Sequence, residues 1–285
     1  MKTIAIIIPT IRPERVQWMQ KKWGALWEKH NARVFWVNDG PVPTVDFEGQ
    51  VMGVPPWHSH LFFNLNDGIR NLGFYWAKHL VDPDVYITLD DDVRPMDNDP
   101  IQEHLDILGE RVSTSWFSST LYPHYMRGFP YGVRVESTVE VSHGVWHGVP
   151  DLDAVTQLVS PNLKPEFYRG IVPSGAKFPL CGMNLAWTRE VAGDVYFAPM
   201  GPKTPYSRFA DIWMGNVLKG RMDGEGQALA TGFSRVWHER ASDVWKNLEA
   251  ERGGMKVNED LAAGVDLGYM DLWTDNIEGW KKIMR

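Results

Sequence analysis

Apolar residues fall into two rhythms along this chain. Ile4 to Ile8 is an unbroken, mostly β-branched run, as expected of a strand covered on both faces, and Pro9-Thr10-Ile11-Arg12-Pro13 is expected to end it. Val16, Met19, Trp23 and Leu26 then recur at helical spacing, which predicts a helix over residues 14 to 30. Val34 to Val37 reads as a second strand, closed by the turn signal Asn38-Asp39-Gly40. Strand, helix and strand of these lengths make a βαβ unit, hence a parallel sheet with a right-handed crossover. Residues 41 to 63 are Pro-rich and read as irregular. Leu65, Ile69, Leu72, Trp76 and Leu80 predict a second helix, residues 85 to 89 a strand, and Ile101, Leu105 and Leu108 a short helix. Beyond about residue 110 the rhythm breaks into short β-like runs with Gly and Pro, so mixed strands and long loops are expected to 180. Asn184 to Trp187 and Val236 to His238 read as strand, and Phe209 to Lys219, 241 to 251 and 275 to 285 as helix.

The pattern predicts one α/β domain over residues 1–285, with a Rossmann-type mixed sheet. Residues 1–110 form a nucleotide-binding half, 111–250 a sugar or acceptor half and 251–285 a helical tail. The strand at 85 to 89 runs into Asp90-Asp91-Asp92. Carboxylates this close repel, so a cation must neutralise them. A divalent metal, Mn²⁺ or Mg²⁺, bridging a diphosphate would do so, because it prefers oxygen ligands and keeps places for phosphates. The carboxyl end of such a strand is also where open α/β sheets bind ligands.

Composition narrows the classes. The 285 residues carry 29 basic and 36 acidic side chains, a net charge of -7, so no whole-chain basic field for nucleic acid exists. With Cys181 the single cysteine, no intrachain disulfide is available, which fits a reducing, cytoplasmic setting. No stretch approaches a membrane span. The fourteen tryptophans read as core or interface mass.

Several stretches, in order, resemble one family. They are Ile6-Ile7-Ile8-Pro9-Thr10-Ile11-Arg12, Asn38-Asp39-Gly40, Ile87-Thr88-Leu89-Asp90-Asp91-Asp92 and Val141-Ser142-His143-Gly144-Val145-Trp146. Pro150-Asp151-Leu152-Asp153-Ala154, Thr156-Gln157-Leu158, Phe178-Pro179-Leu180-Cys181-Gly182-Met183-Asn184-Leu185-Ala186, Arg208-Phe209-Ala210-Asp211-Ile212-Trp213 and His238 with Ala241-Ser242 continue the series. The chain resembles the reversibly glycosylated polypeptides, a group that includes UDP-arabinopyranose mutases and is similar to GT-A glycosyltransferases.

The resemblance implies a metal-dependent UDP-sugar enzyme. Asp90 and Asp92 match carboxylates that hold metal and ribose, and His238 matches a late histidine that completes the metal site. Asp39, Thr10 and Arg12, at the ends of the first two strands, are implied nucleotide contacts, with Asp90 and Asp91 beside them. Gly128 to Arg134 aligns without a gap with the segment holding the reversibly glycosylated arginine, which makes Arg134 the implied sugar carrier. A guanidinium stays protonated and is a poor nucleophile, so it needs either a strongly ionised, oxocarbenium-like sugar or a nearby carboxylate: Asp211, or else Asp151 or Asp153. The alternative is that Arg134 only neutralises a diphosphate or sugar carboxylate. His143 and Asn184 either hydrogen-bond the sugar or satisfy buried polar groups. Cys181 reads as packed.

The chain also departs from the family. Members are longer, with a C-terminal helical extension, which leaves a homo-oligomer open. They often carry two adjacent carboxylates where this chain has Ala210-Asp211, and Asp67 and Arg70 reproduce an acidic and cationic pair only with a one-residue shift. Three functions fit: a mutase interconverting pyranose and furanose UDP-arabinose; a transferase to an external acceptor, which is a protein, a small molecule or a flipped-out modified DNA base; or a non-catalytic nucleotide-sugar binder. The full set of Asp90, Asp92, Arg134, Asp211 and His238 exceeds what a binder needs.

Overall fold

The computed structural model describes residues 2–201, 206–239, 242–264 and 269–285; Ala241, where a helix is expected to start, lies outside them. Strand β1 (Ile4–Thr10), helix α1 (Pro13–Lys29) and strand β2 (Arg33–Asn38) form the expected parallel unit, with Ile6 opposite Val34 and Thr10 opposite Asn38. Pro9 does not end β1. Its neighbour on the other side, β5, pairs only with Ile4 to Ile7, so Pro9 sits where β1 has one partner, an edge-like setting that tolerates a missing N–H.

Residues 41 to 63 are not wholly irregular, because they hold the hairpin β3 (Thr44–Phe47) and β4 (Gln50–Gly53). Glu48 and Gly49 at its tip both take positive φ, the two-residue turn that matches strand twist. Helix α2 (Arg70–Leu80) starts later than the apolar spacing suggests. Leu65 has positive φ, and Asn66 caps a short 3₁₀ turn by accepting the Gly68 N–H.

Strands β5 (Val85–Leu89) and β6 (Val93–Arg94), helix α3 (Pro100–Ile107) and strand β7 (Arg111–Val112) complete the first part. The second part contributes β8 (Ser137–Gly148), α4 (Ala154–Val159), β9 (Gly170–Ile171), β10 (Asn184–Thr188), α5 (Ala210–Gly224) and β11 (Gln227–His238). Among the described residues all these strands join one mixed sheet of order β4-β3-β2-β1-β5-β10-β8-β11-β6, with β7 on β8 and β9 on β11. Strand β10 is antiparallel to both β5 and β8, so β1, β2, β5, β8 and β11 all point the same way and open at one edge. The helices α6 (Val244–Ala262) and α7 (Tyr269–Met284) are longer than expected, and α6 runs through residue 250, where the tail was expected to begin. Helix α7 is part of the core: Trp273, Ile277 and Trp280 are buried, and the Trp280 indole N–H donates to the Ala192 carbonyl at 3.2 Å.

The core lies in two layers, one on each face of the sheet. Ile4, Ile6 and Ile8 face α1 and α3, where Trp23 is buried, while Ala5 and Ile7 face α2 and α5. Close approach needs glycine at Gly215 in α5. A Cβ there would lie 2.4 Å from the Leu180 nitrogen and 2.7 Å from the Phe178 carbonyl oxygen, both backbone atoms that cannot swing aside. Gly215→Ala is expected to cost about 1–3 kcal/mol by overpacking and to loosen residues 178–182. Urea unfolding with amide exchange at Gly182 checks this, and an unchanged midpoint would refute it.

Candidate active site

The carboxyl ends of β2, β1 and β5 bring Asp39, Thr10 with Arg12, and the Asp90–Asp92 run to one edge of the sheet. The triplet is partly neutralised from within the protein, so part of the cation expected beside it is supplied by arginine side chains. Arg12 forms an ion pair with Asp91 through Nη2, donates to it again from Nε at 3.0 Å, and reaches Asp92 at 3.3 Å. The Thr10 hydroxyl also donates to Asp91, and Arg15 Nε donates to the Asp91 carbonyl at 2.9 Å. Thr10 and Arg12, expected to touch nucleotide, thus both bond to the triplet.

Asp90 pairs with Arg70, which is 2% exposed. Arg70 also donates to Thr88 Oγ1 at 2.6 Å and lies 5.7 Å over the Phe197 ring. Burial works against its charge, but the Asp90 and Asp67 carboxylates outweigh that and hold the guanidinium above its ordinary range. Gly182 presses on it, since a Cβ there would lie 3.1 Å from Arg70 Nε. The family's shifted acid and base pair was therefore the signal for a central residue.

Two guanidiniums face three carboxylates. Asp92 is buried and pushed up, first by burial and then by the charge of Asp90. Its Oδ1 lies 3.7 Å from His238 Nε2. His238 Nδ1–H donates to the Val149 carbonyl at 2.8 Å, which fixes the ring and aims Nε2 at Asp92. A ring nitrogen held by a carbonyl with its partner nitrogen toward a carboxylate is how proteins prepare a metal-ligating histidine. Among the described residues no set of three His, Cys, Asp or Glu side chains is already gathered at ligating distance. The donor set fits a hard or borderline divalent ion, Asp92 and His238 forming one side. Asp92→Asn is expected to weaken Mn²⁺-dependent UDP binding at least tenfold, and equal UDP titrations with and without Mn²⁺ would count against this.

Asp39 faces the loop before α2: its Oδ1 accepts the Leu65 N–H, and burial raises its carboxyl to about 6. Asp211 opens α5 and accepts the Gly182 N–H at 3.0 Å. Burial, then the charges of Asp67 and Asp151, lift it to about 8, against the pull of that N–H and of Arg70. Cys181 donates its thiol to Asp151 Oδ2 at 3.2 Å. Enclosure raises both groups, and Asp90 adds to each. Asp90 and Asp211 thus act on the Cys181 thiol together with Asp151, its hydrogen-bond partner. Asp153 is not part of it. It caps α4, accepting the Thr156 N–H at 2.9 Å and hydroxyl at 2.6 Å.

Arg134 ends a short 3₁₀ turn. It donates to the Phe129 carbonyl at 3.2 Å and lies over Tyr131 and Tyr125, at 4.0 and 4.9 Å. Among the described residues no hydrogen bond or ion pair joins it to Asp211 or the triplet. His143 and Asn184 lie inside the protein. Asn184 Oδ1 accepts from His104 Nε2 at 2.9 Å, its amide donates to Ser234 at 3.3 Å, and His104 Nδ1 accepts the Ser142 hydroxyl. His143 Nδ1 pairs with Thr231 at 2.9 Å, and burial holds its imidazole neutral, down to about 3. This geometry supports the alternative role of satisfying buried groups for Asn184, whereas His143 Nε2 is buried without a hydrogen-bond partner among the described residues. The His104 network had no sequence signal.

The family model described as "Reversibly glycosylated polypeptide" matches residues 54–267. The chain is 33% identical over 284 residues to UDP-arabinopyranose mutase 3 of Arabidopsis thaliana, covering 90% of this chain and 75% of that one. The chain belongs to the reversibly glycosylated polypeptide family. Other relatives of this reversibly glycosylated polypeptide include UDP-arabinopyranose mutase 1 of Oryza sativa subsp. japonica, 32% identical, also with 90% and 75% covered. Among solved structures, it is similar to glucosyl-3-phosphoglycerate synthase of Mycobacterium tuberculosis, solved with Mn²⁺, UDP and phosphoglyceric acid (TM-score 0.46, 11% identity, 93% of this chain and 80% of that one). It is also similar to a Drosophila β-1,4-galactosyltransferase 7 mutant solved with manganese, UDP-galactose and xylobiose (TM-score 0.41, 14% identity, 85% and 72%).

Proposed function

We propose that the protein is a metal-dependent UDP-sugar enzyme that interconverts pyranose and furanose forms of a UDP-pentose, UDP-arabinose first. What carries this is the kinship to UDP-arabinopyranose mutases along 90% of the chain. The gathering of Asp39, Thr10, Arg12 and the triplet at one sheet edge supports it. Asp39 and the β1 end would take the nucleoside. Asp92 and His238, with Asp90 once released from Arg70, would hold Mn²⁺ or Mg²⁺, which supplies positive charge to the leaving diphosphate.

In this scheme the anomeric carbon leaves the UDP β-phosphate oxygen and bonds to a guanidine nitrogen of Arg134, whose proton passes to the departing β-phosphate oxygen. The ring opens as Asp211, protonated at neutral pH, gives its own proton to the ring oxygen, and it recloses at the other size through a second sugar hydroxyl whose proton returns to Asp211. The carbon then returns to the UDP oxygen as the guanidine nitrogen takes the first proton back. Arg134→Lys is expected to abolish interconversion and spare UDP binding, and unchanged turnover would remove Arg134 from the mechanism.

The deciding experiment is incubation with UDP-arabinose and Mn²⁺, with chromatography of the nucleotides and intact-protein mass spectrometry. A second UDP-pentose isomer supports a mutase. Free UDP, or no turnover until an acceptor is offered, supports a transferase, a function favoured by one observation: a cavity of about 600 Å³ lined by His147, Phe167, Phe233 and Arg235. Among the described residues no helix is long and apolar enough to cross a membrane.

A further inference from the structure

The sheet opens where β8 and β11 part. Their parallel register holds to Thr231 opposite His143 and resumes at Arg235 opposite Val145, so three residues of β11 stand against the single Gly144. Gly232, in this bulge, has φ +78, and a Cβ on it would lie 2.2 Å from the Tyr168 carbonyl oxygen, so only glycine fits. Bulges re-aim side chains, often beside sites. Here Phe233 and Arg235 line a cavity of about 600 Å³, a size suited to a small organic ligand. No triplet residue lines it, but β8 and β11 lead from it toward the triplet: His147 and Arg235 line the cavity, His238 ends β11, and Val149 follows the end of β8.

Two phenyl rings wall the cavity. Phe167 packs on Trp146 and His147, at 5.3 and 5.7 Å, and Phe233 lies 4.6 Å under the Arg169 guanidinium. Charges of both signs share the remaining lining. Glu103 is engaged by the Arg235 N–H at 3.0 Å and by Asn98 at 2.7 Å. Asp106, Glu166 and Arg169 form no ion pair among the described residues. An anion would meet the carboxylates, and a divalent cation finds no gathered set of three ligands. What satisfies guanidiniums, carboxylates and phenyl faces together is a ligand whose hydroxyls both accept and donate and whose C–H face is apolar.

We infer that this cavity binds a neutral saccharide of one or two rings, at a site separate from the nucleotide cleft. Only the further step, transfer of a sugar to that saccharide, rests on the transferase function above; the binding stands on the cavity itself. Saturation-transfer difference NMR with cellobiose and with maltose tests it on the full chain. At least one sugar is expected to show saturation of its ring C–H protons, without displacement by excess UDP. The double variant Glu166→Gln, Arg169→Ala, at exposed positions, is expected to weaken binding at least tenfold while the UDP titration stays unchanged. No saturation from either sugar, saturation that survives the double variant, or displacement by UDP would each overturn the inference. The UDP titration reports on the cleft by itself, so failure here leaves the nucleotide-sugar function standing.

Discussion

Replacing Arg70 by methionine is expected to lower the unfolding free energy by about 3 kcal/mol, because one member of a buried ion pair is lost and its partner stays. The Asp90 side chain keeps 30% of its exposure, so water relieves part of the penalty and the low end of the usual range applies. Thr88 and the Leu89 carbonyl lose their donor as well. Arg70→Lys keeps a charge but not the planar fork that serves these partners, and is expected to recover less than half of the loss. Urea midpoints of the three proteins decide it. Equal midpoints for wild type and Arg70→Met would show that Asp90 does not depend on Arg70.

Asp211→Asn is expected to stabilise the protein at high pH and to cut turnover at least a hundredfold, as loss of a group that moves a proton does. The sign follows from the raised carboxyl. Between the ordinary aspartate value near 4 and about 8, the folded protein keeps a proton that the unfolded chain has lost, so stability falls as pH rises through that window. Asparagine has no such proton. The variant should match wild type near pH 4 and exceed it at pH 8 by about 1–2 kcal/mol, a figure reduced from the full linkage because the group is partly exposed. Urea unfolding at pH 5, 6.5 and 8 measures the slope. Parallel slopes in the two proteins would show that Asp211 is ionised throughout.

Much of this was legible in the chain because periodicity and position coincided. Ile4 to Ile8, the α1 spacing and the Asn38-Asp39-Gly40 turn define a parallel unit, and the Asp90 run then has to lie at its ligand edge. The β3–β4 hairpin escaped because its strands are four residues each, though Glu48-Gly49 between two alternating stretches was its signal. The site was half visible. Carboxylates declare themselves in sequence, but which cation answers them depends on contacts about eighty residues apart, such as Arg12 with Asp91, and no local spacing reports those. Likewise Asn184 looked like a sugar contact by its motif, and only the neighbouring strands show that its amide is already occupied.

The arginines over the triplet bear on how the protein is made. Metal-built domains often stay unfolded until their ion arrives. Here Arg12 and Arg70 offset much of the repulsion within the acidic run from inside the chain. Any cation that reaches Asp90 must therefore compete with the Arg70 guanidinium for the same carboxylate.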